Sequence, residues 1–239
     1  IFFFFFLREF YDVSVEELEK LSRDHGAYVT KVVHANDALG RTSVQWIQVV
    51  IKLPTDGTGG LPILRSIVLN DTKSSTYKLG LLKVLALIAE NASGYAKHIE
   101  DDYVAVPLGL VGLYWLRLYK PLLCSELPQA PNNKGLEKLG FVKDSFKSLI
   151  HKPEFEWKTG AVFTSDYAID LHNSIQAACS TIAHMPVRYI TYPQGGQIFS
   201  AELKAYGRRP TSILLEGNYF GRFGELKVPA KAWNALVRF

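Results

Sequence analysis

The chain has 239 residues, 48% of them hydrophobic and 21% charged, enough apolar mass for one large domain or two small ones and too much for a disordered chain. Its formal net charge of +4 is unevenly placed: residues 1–185 carry 19 Lys/Arg against 20 Asp/Glu, whereas residues 186–239 carry 8 against 3. A basic end of this kind attracts phosphates or is simply solvated, and charge alone leaves both open. Two cysteines make neither a disulfide framework nor a thiolate zinc site, which points to a reducing compartment, the cytoplasm.

The run Ile1 to Leu7 is too short for a signal peptide, has no basic residue before it and no small-residue cleavage site after it. It reads as a core strand or as the remnant of a truncated gene. Ser14 with Glu17 makes a capping box before a helix carrying Val15, Leu18 and Leu21, which Gly26 ends. Residues 44–53 are β-branched and fit a strand or a buried helix. Residues 54–62, rich in Gly and Pro, are a loop.

Ser75 or Thr76 caps a helix to about Asn91, apolar nearly all round and therefore central to a core. Residues 103–116 are apolar but too short for a bilayer, and read as a buried helix with Pro107 in a first turn. Cys124 and Cys179, both in apolar helical stretches, are expected as buried thiols. Helices are also predicted over 142–150 and 166–184, and a loop over 125–135. After Pro186 the period changes to two. Val187 to Tyr192, a turn at 193–196 and Gln197 to Leu203 predict a β-hairpin, with short strands near 213–216 and 223–228 and a last helix from Pro229. The expected fold is α+β: a mainly helical core domain over 1–185 and a basic, β-rich lobe over 186–239 ending in a helix, with one continuous domain as the alternative.

No histidine pair has metal-ligand spacing, and there is neither a serine-hydrolase elbow nor a P-loop, so no metal is assigned to this chain. Lys73, Ser75, Tyr77 and Lys78 gather at a helix N-terminus, where free backbone N–H groups attract anions; plain capping is the alternative. Three Glu-x-Lys triplets, Glu156/Lys158, Glu202/Lys204 and Glu225/Lys227, place both side chains on one strand face if they lie in strands. Metal nucleases of the PD-(D/E)xK type use such a pair with an upstream Asp, so Glu156, Lys158, Glu202 and Lys204 are weak catalytic candidates. Ordinary solvated strands alternate Glu and Lys in the same way.

The run from Pro62 to Leu79, with Thr76-Tyr77-Lys78 opening a long helix, resembles a segment of bacterial HNH endonuclease-domain proteins. So do Val106-Pro107-Leu108-Gly109 with Trp115 and Lys120-Pro121, Gly140-Phe141-Val142, Met185-Pro186 with Tyr189 and Tyr192-Pro193, and Val228-Pro229 with Trp233. The resemblance covers the chain from about residue 60 and lies N-terminal to the HNH motif, whose His, Asn and metal-binding His have no counterpart in residues 1–239. It implies a DNA-recognition or scaffold region of a restriction or phage-defence endonuclease. Any divalent metal would then belong to a downstream HNH domain, and a homodimer is a further possible assembly. Phosphate contacts then fall to Lys73, Ser75, Tyr77 and Lys78 and, in the basic lobe, to Arg188, Lys204, Arg208 and Arg209. A self-sufficient PD-(D/E)xK-like metal nuclease and a non-enzymatic protein-interaction subunit are the alternatives.

Overall fold

A computed structural model describes residues 14–24, 28–39, 42–52, 58–69, 76–99, 102–125, 139–153, 156–205 and 210–238. The chain divides into two compact units, Ile1–Asp56 and Gly57–Phe239. The break read from composition at residue 186 is not where the units part: the basic segment belongs to the larger unit, because its strand at 224–229 pairs with the one at 103–107. The run Ile1 to Leu7 and the proposed stop at Gly26 lie outside the described residues.

In the first unit the capping box forms as the sequence predicts. Ser14 Oγ accepts the Glu17 N–H at 3.2 Å, and Glu17 Oε2 accepts the Ser14 N–H at 2.9 Å. Helix α1 (Val15–Asp24) follows, with Glu16 and Glu17 at the positive end of its dipole. Strands β1 (Tyr28–Leu39) and β2 (Thr42–Lys52) pair antiparallel, from Tyr28 opposite Lys52 to Leu39 opposite Thr42. The β-branched residues of β2 thus adopt the strand rather than the helix alternative. Strand β1, which the sequence reading did not predict, supplies its partner.

The second unit is mainly helical. In chain order it contains α2 (Leu61–Leu69), α3 (Tyr77–Asn91), β3 (Lys97–Ile99), β4 (Tyr103–Pro107), α4 (Leu108–Cys124), α5 (Asp144–Lys147), β5 (Val162–Thr164), α6 (Ser165–His184), α7 (Pro186–Tyr189), β6 (Ser200–Leu203), β7 (Ser212–Leu214), α8 (Gly217–Phe220), β8 (Gly224–Pro229) and α9 (Ala230–Arg238). Strands β3, β4, β8 and β6 lie side by side in that order, all antiparallel, and β5 pairs with β7. The protein is therefore α+β, as expected.

Helix α4 packs between α3 and α6, and the inner face of the four-stranded sheet turns toward it. Alternation places Val104, Val106, Leu226 and Val228 on that face, all fully buried. Gly112 permits the α4–α6 approach, since a Cβ there would stand 2.9 Å from Cys179 Sγ. Leu81, Val84, Leu85 and Ile88 of α3 are likewise fully buried, each worth about 1.5–3 kcal/mol relative to exposure. Helix propensity differences are several-fold smaller, so burial decides that α3 forms.

Several local expectations change, and the helix expected over 142–150 is only the single turn α5. Residues 103–107 are strand, not helix: Pro107 lacks the N–H of a helix interior and marks the switch from β4 into α4. Leu61 to Leu69 is a helix entered through Gly60, where a Cβ would collide with the Lys231 carbonyl of α9. The first hairpin strand is replaced by α7, one helical turn opened by Pro186 that buries Val187. The turn beyond it does form, through the Thr191–Gln197 bridge and the Tyr192 N–H to Gly196 carbonyl bond of 2.9 Å, and β6 then joins β8. Finally, Cys124 is exposed; only Cys179 is the buried thiol expected of both.

Candidate functional site

The helix start singled out in the sequence is first a packing site. The Thr76 hydroxyl does not cap α3; it shares a hydrogen bond of 3.1 Å with the Tyr119 hydroxyl. Tyr77, read as a nucleic-acid contact, is only 7% exposed. Its ring centroid lies 5.4 Å from that of Trp115, 5.9 Å from Tyr119 and 6.2 Å from Phe141. Burial pushes its hydroxyl pKa up to about 12, against a hydrogen bond from the Gly140 backbone that lowers it. Tyr77 is thus a core residue, because the 3.6-residue period that puts Leu81 and Val84 inside puts it inside too. The contact chain continues from Phe141 through Phe146 to Trp157, whose indole N–H donates to the Tyr167 hydroxyl at 2.7 Å. Lys78 is half-buried in the first turn of α3. Lys73 and Ser75 lie outside the described residues, as do Arg208 and Arg209.

The Glu-x-Lys triplets separate into two kinds. Glu156 and Lys158 sit in a tight turn, where the Lys158 N–H donates to the Glu156 carbonyl at 2.8 Å. They do not share a strand face, because buried Trp157 between them anchors the turn to the core. The other two triplets meet on the outer face of the four-stranded sheet. On β8, Glu225 and Lys227 alternate with buried Leu226 and Val228. The register sets Glu225 opposite Glu202 of β6, and Lys227 opposite Ser200 of β6 and Ala105 of β4. Ala105 in turn faces Lys97 of β3. Opposed like charges repel, and Lys204 relieves this by pairing with Glu202 at 3.6 Å, both side chains being more than half exposed. Gly224 allows the approach of β6: it holds φ +105°, and a Cβ there would collide with the Glu202 carbonyl.

Among the described residues no three His, Cys, Asp or Glu side chains converge as a metal site would need. His172 is buried, with Nδ1 3.1 Å from the Tyr219 hydroxyl and its ring against Phe223. Lys120 is buried as well, donating to the Lys152 carbonyl with its ammonium 5.7 Å from the Trp157 ring centroid. Both are core residues whose polar atoms have partners. No described helix is long and apolar enough to cross a membrane.

Arg188 is exposed on α7, and α7 packs against α3, which carries Lys78. Tertiary packing thus gathers two of the residues read as phosphate contacts onto neighbouring elements, while Lys204 lies at the sheet edge. The opposed glutamates were beyond sequence reasoning, since only the register of β6 against β8 makes them neighbours.

No curated protein and no solved structure matches this chain. One family model does, over residues 57–239, the whole of the larger compact unit; the chain belongs to the family described as a domain of unknown function, DUF8808.

Proposed function

We propose that residues 57–239 form a DNA-recognition or scaffold domain of an HNH-type endonuclease system of restriction or phage-defence kind, binding duplex DNA through its phosphates while the cutting groups lie outside these residues. One observation carries the reading. In the basic segment 186–239, four of the cations, Arg188, Lys204, Lys231 and Arg238, are exposed at the surface. A labelled DNA duplex titrated with the full chain over a NaCl series tests it. Each phosphate contact contributes about −0.9 to the slope of log affinity against log salt. A steep negative slope is expected; absent or salt-independent binding refutes the reading.

The opposition of Glu202 and Glu225, with Lys227 two residues along β8, favours a second reading. In it the sheet face is a PD-(D/E)xK-like metal nuclease site, the carboxylates holding a divalent ion and the lysine the attacking water or the phosphate. Plasmid cleavage that depends on Mg²⁺ and disappears in Glu225→Gln and in Glu202→Gln supports it. Cleavage unaffected by both substitutions, or none by the wild-type chain, removes it.

A further inference from the structure

Positive charge on the larger unit is concentrated by packing in a way the linear sequence does not display. Helices α2, α7 and α9 all pack against α3, and α2 also touches α9. Together these four elements contain Arg65, Lys78, Lys83, Arg188, Lys231 and Arg238, and a single carboxylate, Glu90 in the last turn of α3. The four-stranded sheet is different in kind. Its strands carry Lys97 and Lys227 against Glu202 and Glu225, so their charges cancel.

Four cations of the helical group stand at the surface. Lys83, Arg188, Lys231 and Arg238 are exposed, and Leu79, Lys83 and Glu90 mark the outward stripe of α3 at helical spacing. Among the described residues Lys83, Arg188 and Lys231 have no ion-pair partner. Tyr189, 53% exposed beside Arg188, adds a ring that can lie flat on sugar or base. Low-dielectric protein behind one sign of charge focuses the potential outward, so several exposed cations together attract a polyanion rather than a single small anion.

We propose that the surface made by α2, α3, α7 and α9 is the face that binds the phosphate backbone of duplex DNA, with Lys83 and Lys231 among its contacts. This rests on the DNA-binding reading and deepens it by locating the backbone on the helices rather than on the sheet. It also brings in residues that the sequence reading did not single out: Lys83, Lys231 and Arg65.

The experiment compares three full-length proteins by fluorescence anisotropy with one labelled duplex over a NaCl series: wild type, Lys83→Gln with Lys231→Gln, and Lys97→Gln with Lys227→Gln. Both exposed lysines of the first pair lie on the helical face, and those of the second lie on the sheet; thermal melts confirm that each variant folds. The expected result is a log–log slope shallower by about two in the helical variant and unchanged in the sheet variant. A helical variant that binds like wild type overturns the location and leaves the DNA reading standing. Equal losses in both variants also overturn it, showing attraction spread over the whole domain. Failure of the wild-type chain to bind overturns the DNA reading itself.

Discussion

Replacing Tyr77 separates its two readings, because a surface contact and a core ring respond to the same change in opposite assays. Tyr77→Ala removes a ring that is 7% exposed and touches the rings of Trp115, Tyr119 and Phe141. Truncating a buried aromatic costs about 3–5 kcal/mol, the upper end applying where rigid neighbours cannot close the cavity. Three aromatic walls on one helix and a turn are such neighbours. In a domain of this size each kcal/mol moves the melting temperature by about 2–4 °C, so Tyr77→Ala should melt about 6–20 °C early. Tyr77→Phe keeps the ring and loses the hydroxyl bond to the Gly140 backbone. Gly140 is exposed and water can take over its N–H, so this costs only about 1 kcal/mol. Circular dichroism melts of the full chain measure both, with duplex affinity measured on Tyr77→Phe below its melt. An unchanged melt for Tyr77→Ala, or a loss of DNA affinity by Tyr77→Phe without any loss of stability, would refute the core assignment.

Alkali should destabilise the protein through the same cluster. Burial raises the Tyr77 pKa from 10.0 to about 12, and burial also raises that of Tyr119, with Thr76 opposing and Tyr77 adding to the rise. A group whose folded pKa lies above its unfolded one stabilises fully below the unfolded value and loses that contribution as pH rises toward the folded one. The urea midpoint should therefore hold to about pH 9 and fall above about pH 10, less steeply in Tyr77→Phe; an equal fall in that variant excludes Tyr77 as a cause. Gly80→Ala should cost about 1–3 kcal/mol, because its Cβ would strike the Tyr119 hydroxyl that Thr76 holds. Tyr119→Phe removes the obstructing atom, so a double-mutant cycle in urea should show the Gly80→Ala cost shrinking; strict additivity contradicts the collision. Of the two cysteines, exposed Cys124 should react with a disulfide reagent in the native state. Cys179 should react only after unfolding, since burial pushes its thiol pKa up and its Sγ donates to the Leu108 carbonyl at 3.2 Å. Two fast native equivalents would contradict that burial.

What was legible in the sequence is what local rules determine. The Ser14–Glu17 box, the period of α3 and α6, and Pro229 before α9 each announce themselves within one or two turns of chain. The misses lie where a local signal had a non-local owner. Residues 103–107 are as apolar as the helix they lead into, and only pairing with β8 makes them strand. Residues 187–192 alternate well enough for a strand, but Pro186 starts a turn that packs against α3 instead. The site follows the same division. Glu202 and Lys204 were visible as a pair, whereas the opposition of Glu202 to Glu225 depends on register across 23 residues of chain. The charged helical surface was invisible for the same reason, since α3 and α9 stand far apart in sequence, and α3 alone reads as a core helix rather than as part of a charged surface.

The motifs that carry the family resemblance and the residues that carry charge are largely different residues, and that difference bears on where function lies. Tyr77, Trp115, Phe141, Pro186 and Trp233 are buried, and three of them share one aromatic cluster. A motif made of buried rings and prolines reports how helices pack and says little about chemistry. Chemistry has to be sought in exposed positions that packing does not require. Lys83 and Lys231 fit that description: each is exposed and, among the described residues, without an ion-pair partner, and each could be glutamate without disturbing the core beneath it. Six cations and one carboxylate on α3 and the three helices packed against it is a departure from a chain that is otherwise nearly balanced, and no stability requirement accounts for it, since like charges brought together repel. A bound polyanion would turn that repulsion into attraction, which is the physical reason for placing the partner on the helices.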